Sequence, residues 1–204
     1  MKKGLLIIGL AVAVVAVYLL FFNKNEDKKD EVKQQPLAIS KNDDAFNKPF
    51  NEFLNGYYTL SNAFVEWDSV KVDKAANELI QLAGKVPYDK IKADTSIIST
   101  GKSFSDNVIA ESKGVLGEST LEGKRRSFYT LSENLYNLIR TVQYDQQVIY
   151  HFKCPMAFND NEEAFWISNT SAIVNPYLGK KHPKYKGSMV ACGNVTDSID
   201  FRQK

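Results

Sequence analysis

Every cysteine, every histidine and every methionine after the initiator lies between positions 151 and 192 of this 204-residue chain. Apart from His182 they form two compact groups, His151-x-x-Cys154-Pro155-Met156 and Met189-x-x-Cys192-Gly193. Both thioethers stand within three residues of a thiol, whereas ordinary cores scatter methionine as a gap filler. A thiolate beside a thioether is a pair of soft donors, which favour Cu(I) over hard cations. Proline fixes one torsion of the Cys154-Pro155-Met156 step and can leave both sulfurs on one side of an extended turn. Gly193 lets the backbone after Cys192 approach its neighbours closely. Convergence of the two groups would build an all-sulfur metal site from Cys154, Met156, Met189 and Cys192.

The same residues admit other chemistry. Outside the cytoplasm, two cysteines in a small loop-rich segment most often form a disulfide. A Cys154–Cys192 bridge would stabilise the segment by roughly a few kcal/mol. Metal site and disulfide are compatible as a redox-dependent pair, and two unrelated free thiols are the third option. His151 is close enough in sequence to join Cys154 as a further ligand, against the commoner fate of a hydrogen-bonded surface histidine. His182 stands in the lysine-rich stretch Lys180-Lys181-His182-Pro183-Lys184-Tyr185-Lys186, which reads as a solvated loop.

Enzyme chemistry finds no foothold. There is no glycine-rich phosphate loop, no histidine-rich catalytic metal motif, and no nucleophile with an evident base. Carboxylates are spread along solvated helix faces. A net charge of +2 gives no electrostatic case for a nucleic-acid partner.

The elements that must position the sulfurs are mainly helical. Phe46, Phe50, Phe53, Leu54, Tyr57, Leu60 and Phe64 fall at helical spacing, with Pro49 placed for a first turn. This aromatic stripe reads as core packing rather than a cofactor box. Asp68-Ser69 can cap a second helix carrying Ala75, Ala76, Leu79, Ile80 and Ala83, stopped before Pro87. A third helix is expected from Thr95 to Leu116, with Gly101 inside it and Gly114 and Gly117 marking its end. Phe128, Leu131, Leu135, Leu138, Val142 and Ile149 define the fourth. Together these predict an antiparallel four-helix bundle over 43–150. Residues 151–204 are loop-rich, with short strands at Phe165-Trp166-Ile167 and Val195–Ile199 and a turn at Asn175-Pro176-Tyr177. They read as a small β cap on the end of the bundle, bearing the cysteines and methionines.

The N-terminal region reads as a membrane tether. Lys2 and Lys3 precede an unbroken apolar run from Gly4 to Phe22. Nineteen residues reach about 28 Å as a helix, close to the hydrocarbon thickness of a bilayer. A cleaved signal peptide would have a shorter h-region ending in a small-residue box. Residues 1–3 are therefore expected in the cytoplasm, 4–22 as an uncleaved transmembrane signal-anchor, and 23–42 as a charged solvated linker. Residues 43–204 then form one extracytoplasmic domain, facing the periplasm or cell exterior.

Two stretches resemble a bacterial domain of unknown function. Phe50-Asn51-Glu52-Phe53-Leu54, Tyr57-Tyr58 and Leu60, followed by Trp67-Asp68 and Ala75-Ala76, look like its opening helices. The tail is similar to its signature in Cys154-Pro155-Met156-Ala157-Phe158, Phe165-Trp166-Ile167-Ser168, Ile173, Asn175-Pro176-Tyr177, Gly179, and Met189-x-x-Cys192-Gly193-x-Val195. That family occurs alone or fused to periplasmic adaptor (membrane-fusion) subunits of heavy-metal efflux systems. The resemblance implies copper or a related metal, bound by Cys154, Met156, Met189 and Cys192, with efflux-pump or metal-handling proteins as partners. The loop from Lys180 to Ser188 is longer than the family pattern, and His151 is not among its positions.

The combined expectation is a membrane-anchored soft-metal protein, Cu(I) first, acting in metal handling or efflux. Its rival is a disulfide-stapled interaction module of a membrane complex that binds no metal.

Overall fold

The computed structural model describes residues 42–202. The expected span over 4–22 and nearly all of the charged linker lie outside them. Among the described residues no helix is long and apolar enough to cross a membrane.

Four helices account for most of the domain: α1 (Asp44–Val65), α2 (Ser69–Ala83), α3 (Thr95–Gly117) and α4 (Leu121–Val142). Each opens on a side chain that accepts from an orphan backbone N–H of its first turn. Asp43 takes Ala45, Asp68 takes Lys71, Asp94 takes Ile97 and Thr120 takes Gly123. Helix α1 begins earlier than the position of Pro49 suggested, so this proline lies inside it. Its missing N–H leaves the carbonyl of Ala45 without an intrahelical donor. Ala45 is exposed, and water can serve there.

Helices α1 and α4 run in opposite directions, as three contacts along their length show. Asn42 Nδ2 donates to Val142 O at 2.7 Å, Tyr57 Oη lies 2.8 Å from Ser132 Oγ, and Arg125 Nη2 donates to Phe64 O at 3.4 Å. Large rings fill the seam between them. Tyr57 stacks on Phe128 at 5.4 Å and Phe64 meets the same ring at 4.8 Å. Phe46, Phe50, Phe53, Tyr57 and Phe64 are all fully buried, so the aromatic stripe is core. Helix α3 approaches α4 closely at Gly101. A Cβ there would stand 3.2 Å from Val142 Cγ1, so the glycine inside the helix is a packing device.

Three strands follow: β1 (Ile149–Phe158), β2 (Glu162–Ser168) and β3 (Asn194–Ile199). They form an antiparallel sheet in the order β2-β1-β3. Strands β2 and β3 fall where short strands were expected. The central strand β1 was not expected. Helix α4 ends at Val142, because Gln143 turns left-handed at φ 46°, and Ile149 opens a strand. The reading of Ile149 as the last apolar position of helix four is therefore corrected, and His151 belongs to β1.

The sheet also lies along the flank of α4 rather than across the end of the bundle. Down one face of α4, Arg126 pairs with Glu162 at 2.9 Å and Tyr129 stacks on Phe165 at 6.1 Å. Further along, Glu133 meets His151 at 2.8 Å and Tyr136 donates to Asp197. These positions recur every three or four residues, as one face of a helix requires.

Candidate metal centre

Cys154 sits where β1 leaves its ladder. It pairs with Ala164, but the next paired position is Phe158 with Glu162, so β1 carries extra residues between them. Pro155 explains the break, since it has no N–H to donate to the neighbouring strand. The bulge leaves the Met156 backbone N–H close enough to the Cys154 thiol to favour its thiolate. Cys154 is fully buried, whereas Met156 is half-buried against the core.

The second group is a tight turn. Cys192 N–H donates to Met189 O at 3.0 Å, so Met189 and Cys192 stand at its two ends. Gly193 follows at φ +137°, and a Cβ there would come within 2.7 Å of Lys153 O and 2.9 Å of the Trp166 ring. Only glycine lets this backbone lie against β1. That contact brings Cys192 to Cys154, and the two thiols are close enough to act on each other electrostatically. Both cysteines are free. Met189 is half-buried against the core beside them in sequence, as Met156 is on β1.

Asn175 ties the two groups together. Its Nδ2 donates to Cys192 O at 2.7 Å, and its side-chain amide lies near enough to the Cys154 thiol to favour the thiolate. Its Oδ1 accepts from Tyr177 N–H at 2.8 Å and Leu178 N–H at 3.0 Å, and its own N–H donates to Val190 O at 2.8 Å. The residue is fully buried. In the sequence it reads only as the start of an Asn-Pro turn.

Burial pushes the Cys154 thiol up to about 11, and the neighbouring Cys192 acts in the same direction. The Asn175 amide and the Met156 N–H pull it part of the way back by stabilising the thiolate. An isolated nucleophilic role is therefore disfavoured at neutral pH. A soft cation would have to displace protons to bind.

Neither histidine joins the sulfurs. His151 lies on the opposite face of β1 from Cys154, as an odd spacing on a strand requires. Its Nδ1 is 2.8 Å from Thr196 Oγ1 and its Nε2 is 2.8 Å from Glu133 Oε1, so both ring nitrogens are engaged. The ring is sandwiched between Tyr136 at 4.1 Å and Phe165 at 5.0 Å. Thr196 reaches it because β3 carries one extra residue there, between the pairs His151–Asp197 and Phe152–Val195. His182 folds onto its own loop, where Nδ1 accepts from Lys184 N–H at 3.2 Å and Tyr185 N–H at 3.3 Å.

Among the described residues no cluster of three or more His, Cys, Asp and Glu could hold a metal ion. Two thiols alone fall short of the four N, S or O ligands of a structural zinc site.

These features define a class: a four-helix domain with a small sheet on its flank that carries a pair of adjacent thiols. Residues 53–147 match the model of a family described as Protein of unknown function (DUF3347). The match runs from within α1 to the residues just before β1, so the resemblance to a domain of unknown function holds over the helices. The sulfur-bearing strand and turn stand outside it. No curated protein and no solved structure matches the chain.

Proposed function

We propose that this chain is a membrane-tethered extracytoplasmic protein that binds a soft metal ion, Cu(I) first, and serves metal handling or efflux. It is a binding protein rather than an enzyme, with efflux-pump or metal-handling proteins as its partners. The observation that carries the reading is the contact between the Cys154 and Cys192 thiols, which the folded chain brings together from distant positions. Cys154 and Cys192 would supply the thiolates, and Met156 and Met189 would supply thioethers from the adjoining bulge and turn. Asn175 would hold both segments in place. The bound ion would give up its labile ligands for four soft sulfurs, a set that discriminates against hard cations. The apolar run over 4–22 supports the tether, and resemblance to a domain fused to efflux adaptors supports the partners.

The same contact favours one rival. Two adjacent thiols can lose two electrons and two protons to an oxidant outside the cytoplasm and close a disulfide. The domain would then be a stapled interaction module that binds no metal. Titration of the reduced chain against a Cu(I)-competing chelator separates the two. About one Cu(I) per chain is expected, with Cys154→Ser removing most of the affinity. Indistinguishable wild-type and Cys154→Ser curves would overturn the metal reading.

A further inference from the structure

Two buried cations stand side by side on α4, and they are treated differently. Lys124 pairs with Asp73 at 2.6 Å and donates to Val115 O at 2.9 Å. Arg125, with 3% of its surface exposed, has no carboxylate at ion-pair distance among the described residues. Its Nε donates to Pro176 O at 3.1 Å, and its two Nη groups reach Leu121 O and Phe64 O at 3.4 Å each. These are neutral acceptors, and the two Nη bonds are long. A guanidinium has five N–H donors, so two remain without a protein acceptor. The plane is held rigid by Trp67, whose ring centre lies 3.5 Å from Cζ. Burial pulls this guanidinium down to about 9, with Glu122 and Tyr177 offsetting only part of the cost.

The guanidinium is part of the wall of a pocket of about 410 Å³. Trp67, Phe158 and Tyr177 are among the residues that line it, with Arg126 over the Phe158 ring at 4.2 Å. Glu122 and Asp160 complete its rim, and both carboxylates are ion-paired with cations other than Arg125. Glu122 pairs with Arg126 at 3.3 Å, and Asp160 pairs with Lys184 and accepts from Tyr185 Oη at 2.6 Å.

We propose that this pocket binds a small organic monocarboxylate, its carboxylate on Arg125 and its apolar body beside the aromatic side chains that line the wall. The volume is that of a small-ligand site. The planar fork of Arg125 matches a carboxylate in geometry. One cation with two acids on the rim favours a single negative charge over a doubly charged phosphate. The site is independent of the sulfur pair, and either could exist without the other.

Benzoate is the probe, titrated into the full chain with the Arg125 Nε–H and Trp67 indole N–H resonances followed by NMR. Saturable shifts of both are expected, at millimolar affinity (~1 mM) for so small a ligand. Benzamide, the neutral isostere, should bind at least about tenfold more weakly, because a hydrogen bond to a charged partner is lost. Asp160→Asn, an exposed change that frees Lys184, should tighten benzoate binding severalfold. Arg125→Met should abolish it; if that variant does not fold, the Asp160 variant and the neutral isostere decide. Equal binding of benzoate and benzamide, or shifts that spare Arg125 and Trp67, would overturn the proposal. Tighter binding of phenyl phosphate than of benzoate would overturn the assignment to a monocarboxylate.

Discussion

The side-chain amide of Asn175 donates to the carbonyl oxygen of Cys192 at 2.7 Å and acts on the nearby Cys154 thiol as well. One buried side chain thereby joins the bulge of β1 to the turn that ends at Cys192. Alanine at this position would leave three backbone groups without their partner, in a place water does not reach. Asn175→Ala should cost about 1–3 kcal/mol, the range for a buried polar group left unpaired, measured by urea denaturation. It should also raise the reaction rate of Cys154 with a thiol reagent in the folded state. Unchanged stability and reactivity would show that the two segments are held by other contacts.

Gly193 is the second lever on the same junction. Alanine there must adopt φ near +137° and place a methyl group 2.7 Å from Lys153 O. Strain of this kind costs about 1–3 kcal/mol when the surroundings do not yield. Where they yield, the Cys192 segment moves off β1 and the thiols part. Gly193→Ala is therefore expected to lower the unfolding midpoint or to weaken Cu(I) binding, read by denaturation and chelator titration on one sample. A variant unchanged in both would mean that the close approach is not needed.

The helices were legible because each buries one face of a 3.6-residue period. Within α4, Leu131, Leu135, Leu138 and Val142 are all fully buried, as that period predicts. Leu138→Ala should accordingly cost about 2–5 kcal/mol in a denaturant titration; a near-neutral value would put the helix face in doubt. The same period misled at Ile149, which lies two helical turns beyond Val142. Periodicity cannot see that Gln143 turns left-handed and releases the chain into a strand. It also cannot see that Cys154 meets Cys192, because that contact depends on the pairing of β1 and on Gly193. Arg125 was within reach of the pattern, since it falls on the stripe of Leu121 and Phe128, where a charged residue is out of place.

Acid should loosen the C-terminal segment before the bundle. Hydrogen bonds from Lys180, Lys184 and Arg126 hold the carboxyls of Glu66, Asp160 and Glu162, respectively, below their ordinary range. Each of these pairs ties the segment after α4 to a helix or to another part of itself. A depressed folded value means that the unfolded chain takes up protons first as pH falls. The stabilisation is therefore complete above the unfolded carboxylate value of roughly 4 and is lost as pH drops through the folded one. Trp67 lies beside this segment, so its emission should shift below about pH 4 while helical circular dichroism persists. Because the pairs are exposed, added salt should weaken them at neutral pH and shrink the acid-induced change. Simultaneous loss of both signals would show that the segment has no separate acid sensitivity.

The methionines separate the two readings of the thiol pair more cleanly than the cysteines do. Losing Cys154 damages a metal site and a disulfide alike, so its loss of function is ambiguous without a binding curve. Leucine in place of methionine keeps nearly the same volume and removes the sulfur donor. Met156 is half-buried on the bulge and Met189 half-buried at the far end of the turn. Neither substitution should cost more than about 1.5 kcal/mol of stability, as volume-conserving changes do. If the thiols and thioethers share a Cu(I), Met156→Leu and Met189→Leu should each weaken its binding, and the double variant should weaken it further. With the thiols kept reduced, the proton release on metal addition should be unchanged, since thioethers carry no proton. If the pair is a structural disulfide instead, both leucine variants should match the wild type in every assay. Mass spectrometry without reductant would then show a chain lighter by two hydrogens, and Cys154→Ser would lose the few kcal/mol of a broken bridge. Weakened Cu(I) binding in the leucine variants cannot arise from the disulfide reading, and its absence would leave the thioethers with a packing role alone.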